Sequence, residues 1–143
     1  MITKVVPGLL IAAQDAEGVA KEASARMGRI IRDAIGARGV ANLALSGGDT
    51  PRAAYARLAK EEGIVWNKVR VFWVDERAVA PTDDRSNYKH AKDSLIDPTK
   101  IAAGHVHRMP ADAQDLEKAA REYEALLKQH VPAGKHGAPQ LDL

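Results

Sequence analysis

One stretch constrains this chain more than any other: Asn42-Leu43-Ala44-Leu45-Ser46-Gly47-Gly48-Asp49-Thr50-Pro51, an apolar run that breaks at two glycines and restarts at a proline. Leu43, Ala44 and Leu45 read as a short strand buried on both faces, and Pro51 opens an Ala- and Leu-rich segment that reads as a helix. Thr50 is the expected N-cap, because its hydroxyl can accept from the first turn, and Pro51 suits the first helical position, where its missing N–H has no intrahelical partner. Gly47 and Gly48 remove the Cβ atoms that would keep a ligand off the backbone. Free N–H groups at the helix start, the positive end of its dipole and the Ser46 and Thr50 hydroxyls make a cradle for an anion, most naturally a phosphate. A turn that uses glycine only for its own geometry is the other reading of the same residues. The stretch is neither GxxxxGK[ST] nor GxGxxG, so mononucleotide and dinucleotide cofactors lose support and no cofactor is expected.

The 143 residues suit one compact domain, and 45% hydrophobic with 28% charged residues is an ordinary globular balance. A net charge of +2 without a run of Lys or Arg gives no reason to expect nucleic acid or an anionic membrane as partner, while a small anion would be enough to use it. No apolar stretch approaches the ~20 residues of a membrane span, and the N-terminus lacks a signal-peptide layout, so the expected location is cytoplasmic. With no cysteine, disulfides, thiolate nucleophiles and thiolate zinc sites are excluded. Nothing in the sequence indicates an oligomeric state.

Taken in order, Val5 to Ala13 could be an edge strand. Asp15 then caps a helix whose apolar face is Val19, Ala23, Met27, Ile30, Ile31, Ala34 and Ile35, ending near Gly36 or Gly39. After the central strand, the helix from Pro51 runs to about Glu62, with Ala54, Tyr55 and Leu58 inward and Gly63 as the stop. Val69 to Val74 is apolar at nearly every position, as a parallel strand covered on both faces should be, and it ends in Asp75-Glu76-Arg77. Strand, helix, strand in this order sets the glycine turn and that triplet side by side along the carboxyl edge of a parallel sheet, where open α/β sheets bind ligands. Each charge of the triplet can also be simply solvated.

Ser86-Asn87 reads as the cap of a helix reaching about Ile96 and stopped by Pro98, and Val106 as a brief strand. His105-x-His107 could put two imidazoles on one side of that strand, but no carboxylate or third ligand is near in sequence, and no metal site is expected. Asp112 or Asp115 caps a last helix with Leu116, Ala120, Tyr123 and Leu127 on its apolar face and Glu117–Arg121 and Glu124–Lys128 pairs on the exposed side, ended by Pro132. Ala133 to Gln140 reads as a linker, and Leu141-Asp142-Leu143 as the opening of a further strand. The expectation is therefore a single α/β domain over residues 1–143, forming the first part of a larger one.

Three segments in this order resemble a family: Ser46-Gly47-Gly48-Asp49-Thr50-Pro51, then Asp75-Glu76-Arg77-Ala78-Val79, then Ser86-Asn87-Tyr88. With Val65-Trp66 and His107-Arg108-Met109-Pro110, the chain from about Gly39 onward is similar to the 6-phosphogluconolactonases. The resemblance implies a Rossmann-like three-layer sandwich with a mostly parallel sheet, shared with glucosamine-6-phosphate deaminases. It implies an enzyme, a carboxylic ester hydrolase of carbohydrate metabolism, which opens 6-phospho-D-glucono-1,5-lactone to 6-phosphogluconate in the pentose phosphate pathway. The arginine of the triplet favours the lactonases, because the deaminases usually carry an aromatic residue there.

Carried over by position, Ser46, Gly47, Gly48 and Thr50 hold the phosphate, and Arg77 pairs with it or with nearby carboxylates. Asp75 faces the sugar end in a supporting catalytic role, while Glu76, Ser86 and Asn87 brace the loop and triplet from behind. The family's Asp-Gly-His-Thr segment, whose histidine is expected to act as general base, does not occur in these residues. None of His90, His105, His107, His130 or His136 has a matching context, so the base is assigned to none of them and the chain alone is expected to be inactive. Two other readings remain open: a phosphosugar-sensing domain that needs the cradle but no base, and a deaminase-like aldose-ketose isomerase.

Overall fold

The computed structural model describes residues 8–143. The expected edge strand begins outside the described residues at Val5, and its remainder, 8–13, forms no strand. Gly8, at φ 133°, departs from extended geometry, and no backbone hydrogen bond ties this stretch to the sheet.

Helix α1 (Ala16–Arg38) has the ends its sequence announces. The Asp15 carboxylate accepts from the Gly18 N–H at 2.7 Å, and Gly39, in the left-handed region at φ 78°, donates its N–H to the Ile35 carbonyl. Its buried stripe is Ala20, Ser24, Gly28, Ile31 and Ala34, whereas Val19 and Ile30 are 40% and 36% exposed. The expected face was rotated because small residues, not bulky ones, line the approach of α1 to the chain around α2 (Asp49–Leu58), where a Cβ on Gly28 would lie 3.5 Å from Glu61.

Strands β1 (Ala41–Leu45) and β2 (Val69–Trp73) pair in parallel, with Ala41, Leu43 and Leu45 beside Val69, Val71 and Trp73. These six side chains pack against Ile31 and Ala34 of α1, Tyr55 and Leu58 of α2, and Ala91, Leu95 and Ile96 beyond β2. Phe72 alternates to the opposite face and meets Tyr123 and Val131, at α5 (Leu116–His130) and just after it. Helices thus cover both faces of a parallel sheet, giving the three layers of the expected α/β sandwich. Two short segments widen the sheet. Val106 bridges Val71 in parallel on one side; on the other, Asp142 donates to the Asn42 carbonyl and Ala44 to the Leu143 carbonyl.

Several boundaries differ from the sequence reading. Helix α2 starts at Asp49 with Gly48 as its N-cap, so Thr50 lies inside the first turn and caps nothing; it ends at Leu58 rather than near Glu62. The helical run after Ser86 passes through Pro98: α3 (Asn87–Ala91) leads into a π turn at Lys92–Ile96 and then α4 (Asp97–Thr99). A π turn just ahead of the proline relaxes the hydrogen-bond ladder that Pro98 cannot complete. The expected linker is instead a closed hairpin, in which Ala133 bridges Pro139 and Gly134 donates to the Ala138 carbonyl. Along α5, capped by Asp115 as one expectation had it, Ala119 and Tyr123 are buried while Leu116 is 48% exposed. The Glu117–Arg121 and Glu124–Lys128 pairs form on its outer side.

Candidate functional site

Both loops of interest leave the carboxyl edge of the sheet together. The parallel ladder continues one step past the strands, Val74 donating to the Leu45 carbonyl at 3.0 Å, so Ser46 and Asp75 start from neighbouring points. The first residue of the glycine turn is bolted to α2: the Tyr55 hydroxyl accepts from the Ser46 N–H at 2.8 Å and donates to the Ser46 carbonyl at 3.2 Å. Burial pushes the Tyr55 hydroxyl's pKa up, so it stays protonated and able to do both. Sequence reading placed Tyr55 inward for its ring but missed the hydroxyl's part, which takes the Ser46 amide away from any ligand.

The next four amides are free. Those of Gly47, Gly48, Asp49 and Thr50 donate to no acceptor among the described residues, and the first helical hydrogen bond of the turn runs from the Arg52 N–H to the Gly48 carbonyl. Gly48 requires glycine for its backbone, at φ 108°. Gly47 requires it for a different reason: a Cβ there would sit within 2.8 Å of Asn87 Nδ2 and nearer still to the rest of that carboxamide. The bare Cα at Gly47 is therefore occupied by a protein side chain. Ser46 and Thr50 line a hollow of about 520 Å³ with Pro51, Tyr55, Leu141 and Leu143.

Across the edge, the triplet is held by the start of α3. The Glu76 carboxylate accepts from the N–H groups of Asn87 at 2.7 Å and Tyr88 at 2.8 Å, from the Ser86 hydroxyl at 3.1 Å and from the Arg77 N–H at 2.7 Å. An anion at a helix N-terminus is well placed, and here it satisfies amides that have no intrahelical partner. Ser86 is the helix N-cap, accepting from the Lys89 N–H. Asn87, only 3% exposed, donates its Nδ2 to both the Asp75 carbonyl and Asp75 Oδ1. Arg77 is exposed, and among the described residues its guanidinium meets no carboxylate.

Of the histidines, His90 sits on α3, beside Arg52 of α2 and Asp84. His107 stacks between Phe72, at 4.9 Å, and His130, at 4.5 Å, on the α5 face of the sheet. Among the described residues no histidine bonds to a residue of the glycine turn or the triplet, and no group of three or more His, Asp or Glu is gathered as a metal ion would need. No helix among them is long and apolar enough to cross a membrane.

A parallel sheet between helical layers, with a glycine turn opening a helix at its carboxyl edge, defines a Rossmann-like α/β fold. Residues 14–143 match the family model of glucosamine-6-phosphate isomerases/6-phosphogluconolactonase, and the chain belongs to that family. It is 37% identical over 113 residues to the 6-phosphogluconolactonase of Synechocystis sp., covering 79% of this chain and 47% of that one. Against the 6-phosphogluconolactonase of Mycobacterium leprae it is 35% identical over 134 residues, covering 90% and 54%. The 6-phosphogluconolactonase of Thermotoga maritima superposes with a TM-score of 0.75 at 26% identity, over 81% of this chain and 52% of that one. The Trypanosoma brucei enzyme shares the fold at a TM-score of 0.80 and 22% identity, over 92% and 56%. The chain thus spans about half the length of the relatives it matches.

Proposed function

We propose that this chain carries the phosphate-binding and sugar-facing part of a cytoplasmic 6-phosphogluconolactonase, and that residues 1–143 are the N-terminal portion of a larger α/β phosphosugar-binding domain. The observation that carries the reading is the meeting, at one sheet edge, of the four amides from Gly47 to Thr50 and the Arg77 guanidinium, all without an acceptor among the described residues, with the Asp75 carboxylate. Phosphate takes the amides and the Ser46 and Thr50 hydroxyls, with Arg77 adding a charge-assisted contact. Asp75 turns toward the ring and orients water or ring hydroxyls. Water adds to the lactone carbonyl, the bond from that carbon to the ring oxygen breaks, and the ring oxygen leaves as a hydroxyl. This needs a base near the working pH and donors for the developing oxyanion, which the reading assigns to residues outside this chain.

An amide-shift titration with inorganic phosphate and then 6-phosphogluconate tests it. Gly47, Gly48 and Thr50 are expected to move, and shifts confined to other regions would overturn the assignment. Arg77→Ala should weaken 6-phosphogluconate tenfold or more, since such a contact is worth roughly 1.5–3 kcal/mol, and leave gluconate unaffected. Equal losses for the two would make Arg77 structural.

A further inference from the structure

Two halves of the site, the glycine turn and Asp75, come from different loops, and one side chain touches both. Asn87 Nδ2 lies 3.2 Å from the Asp75 carbonyl and 3.1 Å from Asp75 Oδ1. Both are acceptors, so the carboxamide must present its nitrogen to them, which aims Oδ1 at the Gly47 Cα. Asn87 is itself fixed: it is almost fully buried and its N–H is held by Glu76. Asp75 is exposed, and Asn87 is its side chain's hydrogen-bond partner among the described residues. The turn, by contrast, has its own anchor in Tyr55.

We infer that Asn87 is a positioning residue: it aims the Asp75 carboxylate and spaces it from the phosphate-binding turn, and Gly47 is glycine to admit it. This rests on the proposed function for its choice of ligand. A ligand that spans both halves depends on the spacing, whereas one that sits on the turn alone does not.

The test compares 6-phosphogluconate with inorganic phosphate. Asn87→Ala should weaken 6-phosphogluconate by about tenfold and change phosphate by less than about threefold, the gap expected when one of two joined contacts loses its orientation. Asn87→Asp, which keeps the shape but sets a carboxylate against Asp75 in place of the donor, should do the same, and it replaces the alanine variant should that fail to fold. Gly47→Ala should destabilise the fold and weaken both ligands. Adding Asn87→Gly should restore stability and phosphate binding, with 6-phosphogluconate still weak. Equal losses for both ligands on Asn87→Ala, no loss for either, or a Gly47→Ala protein as stable as the parent would overturn the inference. Should the parent bind neither ligand, the functional reading falls by itself; the stability cycle then decides, strongly non-additive effects supporting the Gly47–Asn87 contact and additive ones refuting it.

Discussion

Removing the Glu76 carboxylate leaves the Arg77, Asn87 and Tyr88 amides and the Ser86 hydroxyl without an acceptor. Hydrogen bonds to a charged group are worth about 1.5–3 kcal/mol each and are not additive in a shared cluster, so Glu76→Ala should cost roughly 2–4 kcal/mol. Glu76→Gln, with one acceptor oxygen and an NH₂ facing donors, should lose about half as much by the same reasoning. Urea unfolding measures both, and an alanine variant within about 0.5 kcal/mol of the parent would refute the clasp. That Ser86-Asn87 opens a helix was legible from residue type, since Ser and Asn announce a helix start, whereas the bracing of the triplet by Glu76, Ser86 and Asn87 was expected only from the family resemblance. The Gly47–Asn87 contact was not, because it joins residues forty positions apart that no local pattern relates. Nor was the Tyr55 hydroxyl's grip on Ser46, since an inward tyrosine looks the same in sequence whether or not its oxygen has work to do.

Helix α5 is docked by a polar device as well as by its apolar face. The Tyr123 hydroxyl accepts from the Trp73 N–H at 3.0 Å and donates to the His107 carbonyl at 2.7 Å; burial lifts its pKa to about 12 and keeps the proton in place. His107 stacks on His130, near the end of the same helix, and burial, followed by the charges of His130, Arg70 and His105, lowers its pKa below the ordinary value. The fold therefore favours neutral His107. Stability from this source is complete above about pH 6.5 and is lost as pH falls from there through the lower folded value. Denaturant unfolding of the parent should weaken from pH 7 to pH 5 more than that of His107→Phe, which keeps the ring stack; parallel profiles would remove His107 from the account. At this scale the end signals of α1, Asp15 and Gly39, were readable because caps are local chemistry. The start of α2 misled for the same reason: Thr50-Pro51 has the look of a cap and first residue, yet Gly48, with its positive φ, is the N-cap and the helix begins earlier, at Asp49. The phase of α1 misled because the neighbour that selects its small-residue face lies outside the window in which periodicity is read.

Across the whole molecule, the carboxyl edge supplies anion donors, a carboxylate and a guanidinium, while His105, His107 and His130 gather on the α5 side of the sheet. On the proposed function, which puts the general base outside residues 1–143, the chain by itself should not open 6-phosphogluconolactone faster than a protein-free control, since lack of a general base alone removes about 10²–10⁴. Opening in proportion to its concentration, abolished by Asp75→Asn, would place the base at Asp75 instead. The strand–helix–strand order from β1 to β2 was legible, and with it the meeting of the two loops at one edge, whereas the expected edge strand left no strand at 8–13. The segment 141–143 shows what that topology demands in time. It lies against β1, where the Asn42 N–H meets the Asp142 carboxylate across a separation of 100 residues and Arg38 pairs with the same aspartate. Synthesis at about 5–20 residues per second separates the two by roughly 5–20 s. Throughout that interval the strand leading into the glycine turn has this edge bare, open to pairing with the wrong chain, until residues 141–143 cover it.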